Sequence, residues 1–70
     1  MEPRPLERIE TQALTLFANG KTIEEIGQYL KLRKAVVQDH LRVAVRKLGA
    51  CNRVHAVSIA VDLKLVKVGK

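Results

Sequence analysis

Aromatic side chains are almost missing from this sequence: 70 residues hold one tyrosine, one phenylalanine and no tryptophan. Any core must therefore be filled by leucine, isoleucine, valine and alanine, which suits short helices packed closely together. Cysteine occurs once, at Cys51, so no disulfide forms within the chain and the composition gives no sign of an oxidising compartment. No apolar run approaches the ~20 residues of a membrane span, and Met1-Glu2-Pro3-Arg4-Pro5 lacks the apolar core of a signal peptide. A cytoplasmic protein with no membrane partner is the expectation. Catalytic groupings are missing as well. No Ser/His/Asp or Cys/His set and no phosphate-cradling glycine loop is evident. Glu24 and Glu25 are neighbours in sequence and point different ways on a helix, so they cannot act as a pair. Asp39, His40, Cys51 and His55 match no common structural zinc spacing. The expectation is a non-enzyme with neither cofactor nor metal.

What the chain has is positive charge, and it is segregated. The net charge is +6, with a pI near 10.0. Up to Leu32 four bases face five acids, whereas from Arg33 onward nine bases face two, so the first part carries −1 and the second +7. A basic surface alone keeps a protein soluble; charge divided this sharply favours a polyanionic partner.

The chain length gives one domain, near the lower limit for folding without staples. Leu6, Ile9, Ala13, Leu16 and Phe17 recur at helical spacing and predict a first helix that ends near Ala18. Asn19-Gly20 supplies a left-handed stop. Thr22 with Glu25 forms a capping box, so a second helix starts at Ile23, buries Ile23, Ile26 and Leu30, and ends by Leu30. Lys31-Leu32-Arg33 leaves room only for a tight turn. The third helix runs from about Lys34 to Leu48, and its apolar stripe is Val37, Leu41, Ala44 and Leu48. Gly49 ends it. Asn52 is the N-cap of a fourth helix in which Ala56, Val57, Ala60 and Leu63 face one way. Leu65 to Lys70 reads as a partly apolar basic tail with a frayed end. No strand alternation appears, so the fold class is all-α, with four helices.

The outer face of the third helix is unusual for plain solubility. It collects Ala35, Gln38, Asp39, Arg42 and Arg46, groups that can read base edges: Gln for adenine, Arg for guanine, Asp for the cytosine amino group. A short helix, a tight turn and a longer basic helix with such a face make a helix-turn-helix unit. Gly27 is a small residue where the two helices of that unit press together.

At this point the residues are similar to a known family. Glu10, Ala18-Asn19-Gly20-Lys21-Thr22, Glu25-Ile26-Gly27, Val37, His40, Arg46-Lys47-Leu48-Gly49 and Asn52-Arg53 followed by Ala56-Val57 resemble the LuxR/GerE-type DNA-binding domain, from about Leu6 to Val66. The run from Arg46 to Val57 is the most specific part, and sigma-factor region four does not continue this way. Pro3 and Pro5 mark an extended leader over 1–5, and a basic tail lies over 67–70. The resemblance implies a LuxR-type helix-turn-helix domain over 6–66. It implies a bacterial transcription regulator that binds double-stranded DNA, commonly as a dimer through the fourth helix. This chain departs from the family where Arg33 stands for Ser or Thr, Val36 for Thr and Gln38 for Lys or Arg. The capping and phosphate contacts of the first two hydroxyls therefore do not carry over.

The DNA-binding residues expected are Lys21, Thr22, Arg33, Lys34, Ala35, Gln38, Asp39, Arg42, Arg46 and Lys47. Gln38 and Arg42 would read bases, with Asp39 steering Arg42 or accepting from cytosine. Lys34, Arg46 and Lys47 would neutralise phosphates, Arg33 would grip another with the free amides of the helix start, and Lys21 and Thr22 would touch the adjacent backbone strand. A seam of Val54, Ser58, Val61 and Leu65 on the fourth helix is the expected homodimer interface on DNA. A related regulator or RNA polymerase is a further expected partner. The alternative is a protein-only antagonist that pairs with a related regulator and binds DNA weakly or not at all. No receiver or ligand-binding domain fits in this length, and a standalone small regulator and a piece of a longer one both remain open.

Overall fold

The computed structural model describes residues 6–69; the leader expected over 1–5 and the terminal Lys70 lie outside the described residues. Four helices follow one another: α1 (Arg8–Ala18), α2 (Ile23–Leu30), α3 (Lys34–Lys47) and α4 (Arg53–Asp62). Helices α1 and α3 touch each other and both remaining helices, whereas α2 and α4 do not meet. The core lies between them and is aliphatic, as the shortage of aromatics requires. Leu14, Ile26, Leu41 and Val37 are its largest fully buried side chains, joined by Ala13, Ala44, Ala56 and Ala60.

Each boundary has a local cause. Helix α1 starts at Arg8 rather than at Leu6, because Glu10 reaches back to accept the Glu7 N–H at 2.9 Å and fixes the start of the helix there. It stops where Gly20 turns left-handed at φ +89, which costs glycine nothing. The Thr22 hydroxyl accepts the Glu25 N–H at 3.1 Å, and the Glu25 carboxylate accepts the Thr22 N–H at 2.9 Å, closing the expected capping box of α2. Asn52 caps α4 by accepting the His55 N–H at 2.8 Å, and His55 Nδ1 accepts the Cys51 N–H at 3.0 Å. The second of these bonds gives the histidine a structural task that the sequence reading missed.

The turn between α2 and α3 is as tight as expected. Lys31 takes the left-handed conformation at φ 61, and the Leu32 N–H donates to the Gly27 carbonyl at 2.8 Å. A Cβ on Gly27 would sit 2.7 Å from the Leu32 carbonyl oxygen and 3.7 Å from a Val37 methyl. The pressure on this residue therefore comes mainly from the turn itself, with the start of α3 behind it.

After α4 the chain departs from the expected pattern. Leu63, expected on the core face, is 56% exposed. Helix α4 ends at Asp62; Leu63 keeps a right-handed backbone as its C-cap, and Lys64 then turns left-handed at φ 62, so the chain leaves the helix directly after Leu63. Val66 fills the space instead, 5% exposed. The tail beyond it is fastened to α1. Asn19 donates from Nδ2 to the Thr15 carbonyl at 2.7 Å and to the Lys67 carbonyl at 3.0 Å, and its Oδ1 accepts the Gly69 N–H.

Candidate nucleic-acid interface

Helix α3 buries Val37, Leu41 and Ala44 and half-buries Leu48, so the opposite side must face solvent. Ala35, Asp39, Arg42 and Arg46 are exposed along that side, and Gln38 is half-buried at its flank. Among the described residues this helix makes one surface ion pair, Arg42 Nη1 to Asp39 Oδ1 at 3.4 Å, with both side chains about two-thirds exposed (65% and 68%). A pair so open to water is weak and holds Arg42 in position without removing it from use. Arg33, Lys34 and Arg46 are exposed and make no ion pair with another described residue.

The start of α3 is left open. Arg33 has the extended backbone of an N-cap, φ −71 and ψ 154, but its side chain offers no oxygen to the first amides. Those N–H groups point outward at the positive end of the helix dipole, beside the Arg33 and Lys34 side chains. At the start of α2, Lys21 and Thr22 are exposed. The Thr22 oxygen accepts from Glu25 and so keeps its own hydrogen to donate elsewhere.

Two expected residues stand differently. Lys47 lays its Nζ 3.0 Å from Glu10 Oε1, with 35% of its side chain still open to solvent. Glu10, one of the residues that carry the family resemblance but expected in no site role, is 5% exposed. On α4, Val54 is 73% and Val61 39% exposed and Ser58 is exposed, whereas Leu65, the last member of the expected seam, packs half-buried against the core. Among the described residues no group of His, Cys, Asp and Glu is placed to hold a metal ion, and no helix is long and apolar enough to cross a membrane.

The model of the luxR family of bacterial regulatory proteins matches residues 5–60. Among curated proteins, the transcriptional activator protein BjaR1 of Bradyrhizobium diazoefficiens is 37% identical over 67 residues, covering 91% of this chain and 28% of its own length. The response regulator RamR of Streptomyces coelicolor is 44% identical over 55 residues, 79% of this chain and 27% of the relative. The transcriptional activator protein PhzR of Pseudomonas fluorescens is 48% identical over 54 residues, 77% of this chain and 22% of the relative. The chain thus spans about a quarter of the length of these relatives.

Proposed function

Because this chain belongs to the luxR family of bacterial regulatory proteins, we propose that it binds double-stranded DNA with sequence preference, as a transcription regulator. The carrying observation is the solvent-facing side of α3, along which Ala35, Asp39, Arg42 and Arg46 are all exposed. In this reading α3 enters the major groove, and Gln38 and Arg42 contact base edges, Arg42 being steered by Asp39. Lys34 and Arg46 neutralise phosphates. Arg33 and the uncapped amides of α3 hold one more, and Lys21 with the Thr22 hydroxyl touches the neighbouring strand. The exposed valines of α4, Val54 and Val61, flank Ser58 and support pairing of two copies on DNA.

Titrating labelled genomic fragments with the protein at several salt concentrations tests this. Salt-dependent binding with sequence preference is expected, and Arg42→Ala should relax that preference by ~1–3 kcal/mol if the contact is bidentate. Absence of binding at low salt, with a related regulator co-purifying, would support the antagonist reading instead.

A further inference from the structure

The first turn of α1 and the last turn of α3 are joined by an ion pair that base reading does not require. Glu10 is the buried charged residue of the described chain, and its Oε1 accepts both the Glu7 N–H at 2.9 Å and the Lys47 ammonium at 3.0 Å. Burial pushes the carboxyl pKa up. The Glu7 amide and the Lys47 ammonium, aided by nearby His40, outweigh that burial and leave the pKa below the usual value. The carboxylate is therefore ionised at neutral pH, with Lys47 as its counterion. Each charge also stands at the favourable end of its helix dipole, the acid in the first turn of α1 and the base in the last turn of α3.

This competes with any phosphate for Lys47. Freeing the ammonium would leave a buried carboxylate unpaired, a larger penalty than a screened surface contact returns. Arg46, one residue earlier, lies about 100° round the helix and faces outward with Arg42. We infer that Lys47 anchors the recognition helix rather than neutralising a phosphate, and that Glu10 is a positioning residue for DNA binding that acts through it. The inference rests on the DNA-binding reading above, and its test separates the two.

The test measures the affinity of the wild type and its variants for a labelled random-sequence duplex between about 50 and 200 mM salt, where each neutralised phosphate contributes about 0.9 to the slope of log affinity against log salt. Circular dichroism at the binding temperature fixes the folded fraction, so lost stability alone leaves the affinity of that fraction unchanged. Lys34→Ala and Arg46→Ala should each flatten the slope by about 0.9. Lys47→Met should weaken binding several-fold by one factor at every salt concentration, with the slope intact. Glu10→Gln should also weaken it, although it removes a negative charge from a DNA-binding protein. If Lys47→Met does not fold, the slope is read on Glu10→Gln/Lys47→Met, which leaves no buried ion unpaired. A slope flattened by about one unit on loss of Lys47 overturns the inference. So does unchanged affinity, or tighter binding by Glu10→Gln. If Lys34→Ala and Arg46→Ala also leave the slope intact, the DNA-binding reading itself has failed.

Discussion

Replacing Gly27 by alanine places a methyl group 2.7 Å from the Leu32 carbonyl oxygen, where ordinary contact begins at 3.4 Å. That oxygen cannot swing aside. It belongs to the backbone between left-handed Lys31 and the N-cap Arg33, and the Leu32 N–H is already bonded to the Gly27 carbonyl at 2.8 Å. The turn must open by several tenths of an ångström, carrying the start of α3 with it. Overpacking of this kind costs ~1–3 kcal/mol, and the better helix propensity of alanine returns about 1. Since the obstacle is backbone, the upper half of that range applies and the net loss is about 1–2 kcal/mol. A core of this size supplies ~3–5 kcal/mol in all, so the loss is a large share. Thermal and urea melts followed by circular dichroism should show a melting temperature lower by about 5–15 °C. A Gly27→Ala protein as stable as the wild type would mean that the turn yields without strain, and that the packing described between α2 and α3 is wrong.

Three further outcomes are expected. Arg33→Ser supplies the missing acceptor at the start of α3 and should raise stability by ~0.5–2 kcal/mol in melts, while weakening DNA binding at low salt if Arg33 holds a phosphate. Val61→Arg, at a position already 39% exposed, should leave the helical spectrum and the monomer unchanged but abolish cooperative binding to a palindromic site in gel-shift titrations; unfolding instead would assign Val61 to the core. The Glu10 carboxyl has a folded pKa below the value 4.5 of a free side chain. Its contribution is therefore fully present above about 4.5 and is lost as pH falls through the folded value. Melts across that acidic window should show Glu10→Gln with a flatter pH profile than the wild type.

Local signals carried most of the architecture. Thr22 with Glu25, Asn52, Gly20 and Gly49 each act within a few residues, so α2 and α4 begin where their caps stand in the sequence and α1 and α3 stop close to their glycines. The apolar stripe of α3 likewise defines its outer face without knowledge of any other helix. What escaped the sequence depends on distant partners. Glu10 becomes a buried residue only because Lys47 arrives from 37 residues away to neutralise it. Leu63 fits the α4 pattern, yet the helix stops at Asp62, Val66 rather than Leu63 enters the core, and Asn19 holds the segment beyond. Lys31 and Lys64 adopt a left-handed backbone that their residue type disfavours, so the tight turn after Leu30 was legible but its left-handed residue was not, and nothing in the sequence flagged the turn at Lys64.

The fastening of the tail by Asn19 also changes where this unit ends as a folding entity. Its last helical residue is Asp62, but its last core side chain is Val66. Burying a valine is worth ~1.5–3 kcal/mol, which is comparable with half of what so small a core provides. The segment from Leu63 to Gly69, which has no regular structure, thus contributes to the core of the domain through Val66. Its bonds to Asn19 are exposed and span 48 and 50 residues, so they form after the helices have docked and open before them. Asn19 is followed directly by Gly20, Lys21 and Thr22. The fastening of the tail and the loop that leads to the start of α2 therefore share one side chain.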